Sequence, residues 1–582
     1  MINITNFLEN NNFNYFLLTN SDEFFSEYVP NHQKFIEKFT GFTGSNATVI
    51  FGLKKHYFFT DGRYITQAKN QLDHNKYEII DIAKQSIYQW ISDNLRDSDN
   101  FAIDSKLVSV VFVENIQKLN FNLKLITQNP FENSDKNFLQ QNPFFCNENI
   151  VGKNFTEKKL QILDNIYADA LLITKPENVN WLLNIRGNDI DYNPIFLTQS
   201  LLLKNGKLII FSDNEVLKNL KNNDIELVAK EQIINFFESF FSKNSLNTFT
   251  IQTDFSSTNH WLYEVLIKNN FSVIHKDCPI NLIKAIKNSA EIYGAKQAHF
   301  YDAIAIIKFL YWLNSHENQA QINEISAEEK LYELRKKYAG FYCPSFATIS
   351  AFGANGAIIH YNAKQATNKY FNYNSLYLID SGGHYYNKNF LGTTDITRTI
   401  AIKAPSLDMI KHYTLVLKGH INIARLKFPK GTLGADIDVL ARCHLWNSGL
   451  DYQHSTGHGV GSFLSVHEGP YGISKRSKTI LNSGMIISNE PGLYIENQYG
   501  IRLENLMLVQ EFDKNFLQFE TLTLVPFELD LIDFKMITYP ERKWLINYHH
   551  KILNEVILNQ NNFDHHEIQW FKEHYIEPLN FL

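Results

Sequence analysis

The sequence predicts a multidomain chain of mixed class: two related α/β domains, then an α+β domain with a C-terminal extension. Its 582 residues exceed what one ordinary hydrophobic core supports, so two to four domains are expected. Two stretches in the first half share one layout of apolar strand, polar break, helical or looped piece and strand-turn-strand. From about Tyr342 the pattern changes to short strands broken by Gly-containing turns, which points to antiparallel pairing with helices to one side.

Residues 1–150 form the first predicted domain, with the runs FLLTNSDEFFSEYV, FTGFTGSNATVIF and HYFFTDGRY. Residues 151–287 repeat the plan in LLITKPENVNWLLNIRGNDIDYNPIFLTQSLLL and KLIIFSDNEV. Leu18 to Asp61 and Leu172 to Asp213 are nearly equal separations, which suggests a duplication; convergence on a common α/β pattern is the alternative. Residues 127–157, rich in Asn and Pro and without periodicity, read as the connection. Near Lys287 the run NSAE predicts a capped helix start, with Asn288 as the cap and Glu291 reaching back. That helix opens the third domain, 288–527. There NSLYLID, TDITRTI, GMIISNE and GIRLENLMLV read as strands, with HYTLVLKGHINIARLK and ADIDVLARCHLWNSG between them. Residues 528–582 are the C-terminal extension. Its helix, with exposed Trp and Tyr in YPERKWLINYHHKILNEVILN, either covers the third domain or meets another subunit.

Hydrophobic residues make up 44% and charged residues 20%, as in a soluble globular protein. A net charge of -6 creates no strong field and argues against a nucleic-acid partner. The four cysteines, Cys146, Cys278, Cys343 and Cys443, form no CxxC, so neither a zinc knot nor a disulfide framework is indicated. Free thiols in a reducing compartment account for them. The opening MINITNFLENNNF is not a signal peptide, and no run approaches the roughly 18 apolar residues of a membrane span. A cytoplasmic location without membrane contact is expected.

Five residues carry the chemistry: Asp380 in IDSGG, Asp395 in GTTDITRT, His458 in HSTGHGVG, Glu490 in SNEPG and Glu504 in GIRLEN. Acidic groups facing one another in a core repel and lose hydration unless a cation neutralises them. A pair of divalent ions does so and also activates water. Strand alternation sets Thr393, Asp395 and Thr397 on one face, and a hairpin would bring Asp380 beside them across the ladder. The same logic puts Arg502 and Glu504 on one face. Gly457 and Gly459 flank His458 and allow close backbone approach. Oxygen ligands with one imidazole suit Mn, Fe, Co or Zn. Singly, each residue would more often be a turn, a cap or a solvated charge; the ordered set is what points to metal.

These motifs, with FTGFTGS, TDGRY, WLLNIRGNDIDYNP, GANGAIIHY and GHGVGSFLSVHEGP, resemble the metallopeptidases of the pita-bread fold. Within that family the chain looks most like the three-domain cytosolic aminopeptidases P. The resemblance implies two creatinase-like α/β domains followed by a pita-bread catalytic domain. It implies Asp380 as a ligand of one metal, Asp395 and Glu504 as bridging carboxylates, and His458 and Glu490 as ligands of the other. Glu490 is also the implied proton carrier. His360, His454 and His467 match the family's substrate-binding histidines, with His454 steadying the oxyanion. Arg63 matches an N-terminal-domain arginine linked to substrate. Two divalent ions per subunit are implied, manganese first, with zinc, cobalt or iron as alternatives.

Two departures accompany the match. Fourteen residues separate Asp380 from Asp395, more than is usual in the family, which implies a longer hairpin tip. Ser455 stands where Gly is common. Tyr494 is either the family's active-site tyrosine or a packing residue. The implied reaction removes the first residue from peptides with proline in second place, carried out by a homodimer. The alternatives are a prolidase-type dipeptidase and a non-catalytic pita-bread binding module.

Overall fold

The computed structural model describes residues 4–127, 129–131, 141–220, 223–243, 248–315, 319–338, 340–559 and 562–581. Two compact units emerge. One comprises Met1–Cys146 with Lys153–Ile283, and the other Asn147–Gly152 with Lys284–Leu582.

The first unit holds two six-stranded sheets. In one the order is Tyr77–Asp81, His56–Thr60, Thr48–Gly52, Tyr15–Thr19, Asn100–Asp104 and Asn122–Ile126. In the other it is Ile225–Val228, Leu208–Phe211, Gln199–Leu203, Ala170–Ile173, Thr250–Thr253 and Ser272–His275. Reading across either sheet, the pairings run parallel, antiparallel, antiparallel, parallel, parallel. The related architecture expected from the repeated layout is therefore present in strand order and in strand sense. Both faces of the first sheet are buried. Phe16, Leu18, Val49 and Phe58 point to one core, while Leu17, Ile50, Phe59 and Ile103 point to the other with Trp90. That two-sided burial is why its strands read as apolar runs rather than strict alternation.

The connection at 127–157 is more ordered than its composition suggests. Phe144–Phe145 pairs with Ile185–Arg186, and Glu148–Val151 forms a short helix capped by Asn147. Residues 128 and 132–140 lie outside the described residues. The predicted cap at Asn288 is present. Glu291 N–H donates to Asn288 Oδ1 at 3.1 Å and Asn288 N–H donates to Glu291 Oε2 at 3.0 Å, opening the Ser289–Ser315 helix.

Among the described residues of the second unit every sheet is antiparallel. A three-stranded sheet orders Ile349–Phe352, Ser375–Ser381 and Ile396–Ile402, and another orders Phe341–Pro344, Gly383–Tyr386 and Leu391–Thr393. A six-stranded sheet brings Asn505–Glu511, Ile486–Asn489, Gly457–Gly459 and Glu468–Ile473 side by side. The longer connection between Asp380 and Asp395 is indeed a hairpin, with His384 opposite Thr393 and Tyr386 opposite Leu391.

The C-terminal helix Tyr539–Ile552 packs into this unit's own core. Leu545, Tyr548 and Ile552 are buried with Val525 and Phe527, and Trp544 stacks on Tyr548 at 5.1 Å. Of its aromatic residues only Tyr539, 75% exposed, stands fully in solvent. No helix among the described residues is long and apolar enough to cross a membrane.

A pH effect follows from Glu528, which enters this extension. Burial, and then Asp530, push its carboxyl up to about 7 from 4.5. A carboxyl with a raised folded pKa holds its proton more tightly when folded. Its contribution to stability is full below 4.5 and is lost as pH rises through about 7. Glu528 is only partly shielded from solvent. Glu528→Gln is therefore expected to stabilise the chain by on the order of 1–3 kcal/mol at pH 8 and to leave it unchanged at low pH. Urea unfolding at both pH values checks this; identical curves for parent and variant at pH 8 would refute it.

Candidate metal centre

Antiparallel pairing of Ser375–Ser381 with Ile396–Ile402 sets Asp380 opposite Thr397. Asp395 precedes the second strand by one residue, so it and Thr397 project to the same side. Glu490 directly follows the Ile486–Asn489 strand, and Glu504 lies between Tyr499–Arg502 and Asn505–Glu511. Thr397 ties the two halves together. Its carbonyl accepts from Glu504 N–H at 3.1 Å, and its hydroxyl donates to Glu504 Oε2 at 2.8 Å. His458 N–H donates to Ser488 Oγ at 2.9 Å, and Glu490 N–H donates to Thr456 O at 2.8 Å. The glycines flanking His458 are needed for this approach. A Cβ on Gly457 would lie 2.0 Å from Ser488 O, and one on Gly459 would lie 2.2 Å from Glu468 O.

All five predicted ligands converge. Donor atoms of Asp380, Asp395 and Glu504 lie within 4.8 Å of one another, as do those of His458, Glu490 and Glu504. A third group joins Asp395, His458 and His467, so Asp395, His458 and Glu504 each fall in two groups. His467 was read as a substrate contact; its exposed ring also sits edge-on to His458 at 4.2 Å.

Electrostatics make the cluster unstable by itself. Burial pushes the Glu504 carboxyl well above its ordinary range, and Asp395, Glu490 and Asp380 push the same way. Burial likewise raises Asp380 and Glu490, against the opposing pull of Arg502 and His458 respectively. Asp380 Oδ1 and Glu504 Oε1 are buried without a hydrogen-bond partner. Such orphaned oxygens are costly unless something electropositive faces them. His458 Nδ1 lies 2.9 Å from Gly459 O, and a carbonyl only accepts, so that nitrogen carries the proton. The Nε2 lone pair then faces Asp395 Oδ2 at 3.4 Å and Glu490 Oε1 at 3.6 Å. These distances are too long for good hydrogen bonds and suit donors gathered around shared cations. The donor set fits two divalent ions.

Two residues with no role assigned from sequence hold the cluster in place. Arg502 Nη2 donates to Asp380 Oδ2 at 2.6 Å, and Nη1 donates to Tyr494 Oη at 2.6 Å. Tyr494 Oη in turn lies 2.9 Å from His454 Nε2. Alternation had put Arg502 on the face of Glu504, but its link to Asp380 spans 122 residues and leaves no local trace. On the other side, Asp302 accepts from Thr394 Oγ1 at 3.0 Å and from Tyr385 Oη at 2.7 Å while paired with Arg335. That network fixes the backbone next to Asp395.

The remaining predicted residues fall as follows. His454 Nδ1 is 2.8 Å from Ser455 O and 4.0 Å from Glu490 Oε2. With Nε2 facing Tyr494, both ring nitrogens are engaged, so an oxyanion contact requires the ring to turn. His360 is half-buried, and the carbonyl of Ile359 before it accepts from Arg502 Nη2 at 3.4 Å. Arg63 belongs to the other unit, where its guanidinium chelates Asp61 with two bonds of 2.8 Å and lies over the Tyr64 ring.

Comparison with known proteins agrees with this geometry. Residues 294–511 match the profile of metallopeptidase family M24, and residues 515–576 match the C-terminal region of that peptidase. Residues 6–132 and 135–291 each match the creatinase/prolidase N-terminal domain. Xaa-Pro aminopeptidase 1 of Dictyostelium discoideum is 34% identical over 98% of this chain and 95% of its own length. The chain belongs to metallopeptidase family M24.

Among solved M24 structures, the X-prolyl aminopeptidase of Caenorhabditis elegans superposes with a TM-score of 0.89 at 30% identity. The match covers 97% of this chain and 95% of that one, which is described as a cytosolic enzyme with a di-nuclear active site. The Xaa-Pro dipeptidase of Bacillus anthracis shares the fold with a TM-score of 0.53 at 24% identity. It is covered over 99% of its length by only 65% of this chain. This M24 chain is a hydrolase with the pita-bread catalytic fold.

Proposed function

We propose that this enzyme is an Xaa-Pro aminopeptidase, removing the first residue of peptides whose second residue is proline. The observation that carries the reading is the convergence of Asp380, Asp395, His458, Glu490 and Glu504, with two buried carboxylate oxygens left for a cation. Asp380, Asp395 and Glu504 would hold one ion, and Asp395, His458, Glu490 and Glu504 the other. Two such ions, manganese in our reading and zinc, cobalt or iron as alternatives, would supply charge neutralisation and an activated water.

Within that site Glu490 is the proton carrier. Its carboxylate faces His458 Nε2 at 3.6 Å and His454 Nδ1 at 4.0 Å, among the groups that would hold the ions. It takes a proton at a carboxylate oxygen from the attacking water and delivers it to the departing prolyl nitrogen. That nitrogen is part of a tertiary amide, so it has no N–H of its own and departs as an amine only after protonation. His360, His454 and His467 would contact the peptide, and Arg502 with Tyr494 would hold His454 beside Glu490. In the same reading the enzyme is cytoplasmic, as the nematode relative is described, and acts as a homodimer, which sedimentation would check.

The test uses the full chain loaded with manganese, offered Arg-Pro-Pro and Gly-Pro. Release of arginine from the tripeptide, abolished by chelation, is expected. Cleavage confined to the dipeptide would replace the assignment with a dipeptidase. A chain that binds no divalent ion would be a non-catalytic module.

A further inference from the structure

We propose that Glu324 is a positioning residue for catalysis, acting through the 352–369 segment to set His360. The proposal rests on the reading of His360 as a peptide contact. Glu324 occupies the first turn of the Glu324–Lys336 helix and is wholly buried. Among the described residues, every donor to its carboxylate comes from that one segment. Phe352 N–H donates to Oε1 at 2.6 Å, and Asn355 Nδ2 lies 2.9 Å from Oε1 and 3.1 Å from Oε2. Tyr361 Oη donates to Oε2 at 2.9 Å, and Lys369 N–H donates to Oε2 at 3.0 Å. One side chain thus binds the start, middle and end of the segment, and Tyr361 is the residue after His360.

All of these donors are neutral. Burial raises the Glu324 carboxyl, whereas the hydrogen bonds from Phe352, Asn355, Tyr361 and Lys369 favour its ionised form. Its position at a helix N-terminus does the same. A carboxylate is required because it only accepts, and four convergent donors leave no place for an amide N–H.

The segment's other side rests on the metal cluster's own scaffold. A Cβ on Gly500 would lie 1.8 Å from Gly356 O, so the 353–357 turn packs directly on the strand that carries Arg502. Arg502 also reaches Ile359 O. His360 is therefore held between an anchoring carboxylate and the strand that leads to the ligands.

The test is a double-mutant cycle on the metal-loaded full chain with an Xaa-Pro-Yaa peptide. Glu324→Gln and the milder Tyr361→Phe are each made in the parent and in His360→Ala. In the parent, Glu324→Gln is expected to lower kcat/KM by about tenfold, and in His360→Ala by less than about twofold. Metal content should be unchanged. Tyr361→Phe should show a smaller loss with the same dependence on His360. Equal losses in both backgrounds, or loss of metal, would overturn the proposal in favour of a general stabilising role. Hydrogen exchange provides a readout independent of turnover. Glu324→Gln should speed exchange across 352–369 and little else, and unchanged exchange there would also overturn it. If the parent chain hydrolyses no peptide, the functional reading fails, while the exchange measurement still decides the anchor.

Discussion

Replacing Glu490 with glutamine is expected to lower turnover of an Xaa-Pro-Yaa peptide by about 10²–10⁴-fold, the range a positioned acid–base group contributes. The amide keeps the shape but has no site for a proton at neutral pH. Glu490 faces two histidines of the cluster. Its Oε1 is 3.6 Å from His458 Nε2, and its Oε2 is 4.0 Å from His454 Nδ1. Its backbone is fixed by the bond to Thr456 O, so the substitution should not displace it. The effect should appear in kcat rather than KM, because proton transfer belongs to the transition state. Steady-state kinetics with metal analysis of the same sample checks this. Turnover above about a tenth of the parent's would remove Glu490 from the mechanism.

Arg502→Met is expected to be the most damaging change to the scaffold. It deletes the partner of Asp380 Oδ2, 2.6 Å away, while Asp380 Oδ1 already lacks a hydrogen bond. Breaking a buried ion pair from one side costs about 3–5 kcal/mol because the surviving charge stays unpaired. The same change frees Tyr494 and, through it, His454. Since bound cations would face the same carboxylate, the loss should be larger in chelator than with saturating manganese. Denaturant unfolding under both conditions measures the difference. An equal loss in the two would show that Asp380 does not face a metal.

Much of the site was legible before the fold. Asp380, Asp395, His458, Glu490 and Glu504 each sit at a strand end or beside glycines, and strand periodicity placed Thr397 with Asp395 and Arg502 with Glu504. The Asn288 cap was equally readable, because capping depends on residues three apart. The connection near Phe144 holds more structure than its composition reveals. Its short strand exists only because Ile185–Arg186 lies alongside, and nothing in a run of Asn and Pro reveals a distant partner. The C-terminal helix was left open between two surfaces for a similar reason. Tyr548 is buried by contacts to Thr523 and Arg398, which no helical spacing indicates.

The sequence by itself determined the kinds of chemical group at this centre, the strands and turns that carry them, and the sheet class, since side-chain type and periodicity are local properties. Tertiary structure alone decided which oxygens are left without a donor, that Arg502 reaches Asp380 and Tyr494, that both nitrogens of His454 are engaged, and that Glu324 gathers the segment bearing His360. Those facts join residues far apart in the chain, and such distances are set by how strands and helices pack, which no short window of residues encodes.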